Sequence, residues 1–165
     1  MATRVQFRRG TTSEHSSFTG AVGEVTVDTD KDIVVVHDGS TAGGKPSPSL
    51  STAQTFTGAQ KGAVTTLTSS SNQTAIDLSV NNFFTITLSE NTDFQAPTNA
   101  VAGQAGSIFI VQDGSGNRTG GFHSNFKFTG GSDPTLTTAG NAVDRIDYVV
   151  KSSTEIHAVA TLALA

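Results

Sequence analysis

The sequence contains no cysteine and no tryptophan, a single methionine and a single tyrosine, and only 15% of its residues are charged. Without cysteine there is no disulfide, no zinc–thiolate centre and no thiol nucleophile, so maturation needs no oxidising compartment. Long apolar runs are missing too. The longest are residues 33–36 and the tail from Ala158 to Ala165, far short of the roughly 18–20 residues that cross a bilayer. The first ten residues alternate polar and apolar instead of opening a secretory signal, so the expectation is a soluble protein made in the cytosol, without membrane insertion. Positive charge is also scarce. Ten Lys and Arg against 14 Asp and Glu give a net charge of -4, which makes nucleic acid a poor partner. The basic residues Arg4, Arg8 and Arg9 form a cluster too short to track a phosphate backbone.

What is present in quantity is Thr, Ser, Gly and Val. Hydrophobic residues make up 35% of the chain, without the Leu, Ala, Glu and Lys spacing of a helical bundle, so the fold class is all-β. Three regions differ in composition: 1–44, 45–62 and 63–165. The first reads as short strands over 3–8, 24–28 and 31–37, joined by glycine-containing turns and ending at Asp38-Gly39. Val5 and Phe7, then Val25 and Val27, alternate to one face. So short a segment with so few apolar groups closes no core alone, and with cysteine absent it is expected to bury those residues against copies of itself. The second region carries Pro46 and Pro48 among small polar residues and reads as a stiff linker.

The third region is long enough for one antiparallel β-sandwich or jelly-roll-like domain. Residues 74–80 and 83–88 alternate and flank Asn81-Asn82, which suggests a tight hairpin. Residues 107–112 are apolar on both faces, as in a central strand. Phe122, Phe126 and Phe128 form an aromatic run, and 144–150 with 155–164 read as a final hairpin.

No catalytic or metal constellation emerges. The four histidines, His15, His37, His123 and His157, never form the close pairs of a zinc site. His37 and His157 read as hydrogen-bonded structural residues. Asp28, Asp30 and Asp32 imitate the start of a calcium loop, but Ile33 stands where the turn needs glycine and Gly39 where a bidentate glutamate belongs. The triplet reads instead as a corner between strands. The run from Asp113 to Asn117 is glycine-rich without the Gly-Lys of a phosphate loop, and a hairpin turn accounts for it. Paired carboxylates for glycoside cleavage would need an aromatic groove that Tyr148 alone does not supply. The reading is a non-enzyme without cofactor or metal, against which a glycan depolymerase stands as the enzymatic alternative.

The first region also carries a resemblance. Arg8-Arg9-Gly10, then Gly23-Glu24-Val25-Thr26-Val27-Asp28, then His37-Asp38-Gly39-Ser40-Thr41, resemble the N-terminal module of bacteriophage tail-fibre and receptor-binding proteins of the major tropism determinant type. The third region is similar, more loosely, to C-terminal modules of phage fibre and spike proteins. The resemblance implies an intertwined trimeric β-prism at the N-terminus. It further implies a structural virion protein at the particle surface, a short homotrimeric fibre or spike assembled in the bacterial cytoplasm. The alternative is a capsid decoration protein that binds no receptor. Arg4, Arg8 and Arg9 are candidates for attachment to capsid, portal or baseplate through carboxylates on those partners. Asp113, Asn117, Arg118, His123 and Asn125, polar residues flanking a turn, are candidates for contact with host polysaccharide.

Overall fold

The computed structural model describes residues 5–49, 53 and 55–164, and the chain divides into two compact units, 1–60 and 61–165. Arg4 lies outside the described residues.

In the first unit β1 (Arg8–Gly10), β2 (Val25–Asp28), β3 (Ile33–Val36) and β4 (Lys45–Pro46) form one sheet in chain order. The β1–β2 pair is parallel and the other two are antiparallel. The sheet thus takes in Lys45 and Pro46, at the head of the segment read as a linker. Proline is tolerated there because an edge strand has a side that needs no donor. Between β1 and β2 lies a helix that the sequence reading treats as loop, α1 (Thr12–Ser17). It is started by a capping box. The Thr11 hydroxyl accepts the Glu14 amide at 3.2 Å while the Glu14 carboxylate accepts the Thr11 amide at 2.7 Å. The Thr11 amide also holds the Glu14 carboxyl below its ordinary pKa.

The sheet of this unit is amphipathic in an unexpected sense. Its covered side holds Thr26, Asp28, Val35 and His37, all buried, whereas Val34 and Val36 on the opposite side are 43% and 47% exposed. Register places Val25 opposite Val36 and Val27 opposite Val34, so four valines share the open face.

The second unit contains two sheets. The larger comprises β5 (Val64–Thr66), β8 (Phe83–Leu88), β10 (Ala105–Gln112), β12 (Phe126–Phe128), β13 (Val143–Ser152) and β14 (Glu155–Leu164), in the order β12-β14-β13-β10-β8-β5. The smaller comprises β6 (Ser69–Ser70), β7 (Gln73–Thr74), β9 (Thr92–Phe94) and β11 (Gly120–Phe122), in the order β11-β9-β7-β6. Neighbours β5, β8 and β10 are parallel, and so are β7, β9 and β11. The chain therefore coils from one sheet to the other and back, and the antiparallel hairpin of β13 and β14 is inserted in the larger sheet between β10 and β12. The expectation of an antiparallel sandwich is corrected in this respect. Alternating hydrophobicity specifies an inward face but not the direction of the neighbouring strand.

In the coil, residues at matching register stack along the axis. Ile86 lies beside Ile110 and Phe84 beside Ile108, while Phe94 stacks on Phe122 with centroids 4.9 Å apart and planes at 13°. One buried cluster joins these residues to Ile76, Leu78, Ile146, Tyr148, Val150 and Ile156. The hairpin expected at Asn81-Asn82 does not form. After Thr74 the chain leaves the sheet, keeps Ile76 and Leu78 inward, and exposes Val80 at 57%. Asn82 instead bonds to residues distant in sequence: its carbonyl accepts the Ser107 amide at 3.1 Å and the Tyr148 hydroxyl at 3.0 Å. Among the described residues no helix is long and apolar enough to cross a membrane.

Candidate functional site

Arg8 and Arg9 lie on β1, the edge strand of the first sheet. They line a cleft of about 210 Å³ together with Gly10, Glu14, His15, Phe18 and Thr26. Arg8 is engaged within its own unit: Nη1 meets Glu24 Oε1 at 2.8 Å, and its guanidinium lies 5.0 Å from the centre of the Phe18 ring.

Behind this cleft runs a buried chain of hydrogen bonds. The Gly20 amide donates to His37 Nδ1 at 3.3 Å, which leaves the His37 proton on Nε2 to donate to Thr26 Oγ1 at 2.9 Å. The Thr26 hydroxyl then donates to His15 Nε2 at 2.8 Å, and His15 Nδ1 donates to the Thr11 carbonyl at 3.0 Å. Each neighbour fixes the tautomer of the next, so the two rings and one hydroxyl act as a single brace from α1 across the sheet. Asp28 closes the same side. Burial works against its charge, but the Thr12 hydroxyl at 2.7 Å and the amides of Asp30 and Lys31 outweigh it and lower its pKa. Those bonds make the aspartate triplet a structural corner. Asp38 likewise accepts the Thr41 amide and hydroxyl and the Ser40 amide, which hold it far below the usual carboxylate range.

In the second unit the structure separates the candidate contact residues into two groups. Asp113 and Arg118 pair with each other: Nε and Nη2 of Arg118 donate to Asp113 Oδ2 at 3.0 and 2.7 Å. Arg118 thereby lowers the Asp113 pKa, and the other carboxylate oxygen accepts the amides of Ser115 and Gly116. The buried Gln112 amide bonds both the amide and the carbonyl of Arg118, and Asn117, at φ 62°, donates its amide to the Thr138 carbonyl. This loop is not the hairpin turn expected. It carries the chain from β10 in one sheet to β11 in the other, and its charged groups are turned on each other.

His123 and Asn125 sit elsewhere, between β11 and β12. The Asn125 amide donates to His123 Nδ1 at 3.2 Å, and the Asn125 carbonyl accepts the Ile156 amide at 2.8 Å. His123 borders an open cleft of about 350 Å³ shared with Asp93, Gln95, Gly121, Phe122 and Asp133. Asp93, Gln95 and Asp133 escape sequence reasoning because nothing local marks them. Only the parallel register of Gly121 on Asp93 brings β9 beside β11. Among the described residues no hydrogen bond or ion pair joins this cleft to the Asp113–Arg118 pair, and no group of three or more His, Asp or Glu could hold a metal ion.

Comparison with known proteins places both units. Residues 5–41 match the model of the major tropism determinant N-terminal domain, and residues 67–153 match that of the putative phage tail fibre C-terminal domain. The tail fiber receptor-binding protein of Bordetella phage BPP-1 is 70% identical over 46 residues, which are 28% of this chain and 12% of that protein. The solved structures of the M1 and U1 variants of the major tropism determinant are each 67% identical over 27% of this chain and 12% of theirs, with a TM-score of 0.27. This chain thus spans only 12% of the length of the relatives it matches. The resemblance read in residues 5–44 and the all-β class are borne out.

Proposed function

The chain belongs to the family of putative phage tail fibre C-terminal domains, which covers residues 67–153, and from that premise we propose that it is a virion adhesin: a short homotrimeric fibre or spike whose first unit attaches to the particle and whose second unit contacts the host surface. One observation carries the reading. A module similar to the start of a receptor-binding tail fibre is joined, within 165 residues, to a fibre C-terminal domain. Residues 45–62 are the connector in this scheme, beginning with the paired Lys45 and Pro46.

The valine face supports the trimer. A small unit that buries threonine, aspartate and histidine while exposing Val34 and Val36 has its apolar surface on the side where another copy can cover it. Val34 and Val36 have under half of their surface left to cover, so each contributes on the order of 1 kcal/mol when covered. Attachment through Arg8 and Arg9 would use carboxylates of the capsid, portal or baseplate.

Sedimentation at micromolar concentration tests assembly, with a mass near three times 17.0 kDa expected and a monomer overturning it. Adsorption tests the adhesin role. Pre-incubating host cells with the pure protein should block attachment of the phage that carries it, and unaffected attachment overturns that role. The decoration reading would gain ground if the protein covered the capsid facets instead of standing at unique positions.

A further inference from the structure

We propose that the cleft where β9 and β11 meet the Asp133 loop is a sugar subsite that takes an uncharged hexose of a host-surface glycan; the proposal rests on the adhesin reading above and supplies its contact site.

The space is adequate, since about 350 Å³ falls within the range of small-molecule sites. A second cleft of about 400 Å³ shares Phe122 and Asp133 with it and has Phe128 on its wall, so a glycan longer than one residue has somewhere to continue. The chemistry of the lining narrows the ligand further. Asp93 is exposed, and no group among the described residues donates a hydrogen bond to its carboxylate. Gly121 makes room for that carboxylate, because a Cβ at position 121 would stand 2.5 Å from Asp93 Oδ1. Asp133 spends Oδ2 on the Phe122 amide at 2.9 Å and keeps Oδ1 as an acceptor. The Gln95 amide nitrogen donates to the Asp93 carbonyl at 3.0 Å, which leaves its Oε1 to accept. His123 is the donor. The Asn125 amide occupies Nδ1, so the ring proton is placed on Nε2, for which no partner stands among the described residues.

Three acceptor groups and one donor fit a ligand rich in O–H, and two adjacent hydroxyls of a pyranose can both donate to one carboxylate. In the first cleft two carboxylates with no Lys or Arg beside them repel uronates, sialates and phosphates, whereas the second, which Lys127 lines, does not share that selectivity. The imidazole separates a sugar from a metal ion. With Nδ1 accepting the Asn125 amide and the proton on Nε2 it donates to a hydroxyl as it stands, whereas ligating a cation through Nε2 would cost the Asn125 bond. So few polar contacts imply weak binding at one site, which three copies on one fibre would multiply.

The test uses the full chain, amide NMR spectra and four probes: D-glucose, D-galactose, N-acetyl-D-glucosamine and D-glucuronate, each up to about 50 mM, which reaches affinities weaker than millimolar. Saturable shifts at Asp93, Gly121 and His123 with at least one uncharged sugar are expected, with glucuronate at least about tenfold weaker. Asp93→Asn should weaken that sugar by about tenfold, since a hydrogen bond to a charged group is being replaced by a neutral one. His123→Ala should do the same, and both variants should keep the remaining spectrum, because both side chains are exposed. The proposal is overturned if no uncharged sugar shifts these amides, if glucuronate binds as well, or if chelator abolishes the shifts. Cell binding separates it from the adhesin reading. Wild type and Asp93→Asn binding host cells equally overturns the subsite alone, whereas wild type binding no host cell overturns the adhesin reading itself.

Discussion

Val25 and Val36 face each other across the β2–β3 ladder on the side of the sheet away from the buried Thr26 and Val35. Within the unit this face contributes two cross-strand valine pairs, Val25 with Val36 and Val27 with Val34. Replacing Val34 and Val36 together by aspartate should cost about 0.2–1 kcal/mol for each lost pair and leave the unit folded. It should also bring six like charges together in each proposed trimer, two from each copy. The expected result is loss of the trimer, read by light scattering as a fall to 17.0 kDa. A trimer that survives both aspartates places the subunit contact elsewhere.

Thr26 is 1% exposed and its hydroxyl carries the hydrogen-bonded link between the two histidine rings of the brace, which also stack at 6.3 Å. Thr26→Val keeps the shape and removes the hydroxyl, leaving a buried donor on His37 and a buried acceptor on His15. The expected cost is about 1–3 kcal/mol, against a much smaller one for Thr26→Ser, which restores the bond. Hydrogen exchange at the Val35 and His37 amides measures both, since they report opening of the first unit.

Gly106 lies so close to Asn82 that a Cβ would collide with its carbonyl oxygen, the atom that accepts Ser107 and Tyr148. Gly106→Ala must push β8 and β10 apart, at about 1–3 kcal/mol or more. Urea unfolding should register this as a lower midpoint. Removing the phenol bond alone, by Tyr148→Phe, should cost about 1 kcal/mol.

Tyr148 is the only tyrosine, no tryptophan overlaps its absorbance, and burial pushes its pKa up to about 12 from the ordinary 10.0. A raised pKa means that the fold favours the protonated phenol. The stability this confers is complete below pH 10 and is lost as pH rises towards 12. Ultraviolet titration of the native protein should find no phenolate at pH 10.5, a pH at which an exposed tyrosine would be more than half ionised. Substantial ionisation there would mean that the Asn82 contact is open in solution.

At the acid end, Lys151 and then His157 hold the Glu155 pKa down to about 2 from the ordinary 4.5. A lowered value favours the carboxylate in the folded state, so its contribution is present above pH 4.5 and is lost as pH falls through about 2. The group is exposed, and the effect should appear in its own side-chain NMR titration more than in the melting temperature. Lys151→Ala should move that titration back towards 4.5.

The β class, the inward face of β8, the central place of β10 and the β13–β14 hairpin were legible in the pattern of apolar residues. The coil was not. Period-two alternation is the same for parallel and antiparallel neighbours, and the bonds that fix Asn82 come from Ser107 and Tyr148, far along the chain. Helix α1 has no apolar stripe, and its one local signal was the Thr11 to Glu14 capping spacing. The first unit inverts the usual assumption that polar residues face water: Thr26 and His37 are interior because each satisfies the other. For the candidate site, the residues flanking the glycine-rich run were visible, but not that Arg118 would be spent on Asp113. Nor could the sequence indicate that His123 would find Asp93 and Asp133 as neighbours.

The stacking of Phe94 on Phe122 bears on how such a domain can change size. Where each turn rests on the one before in parallel register, the chain gains or loses a whole turn by repeating or deleting one strand for each sheet, and every remaining contact keeps its partner. Reach then varies in steps of one strand spacing, about 4.8 Å, with the hairpin of β13 and β14 keeping its place between β10 and β12. Length becomes a quantity that insertion and deletion can tune without redesigning the interior.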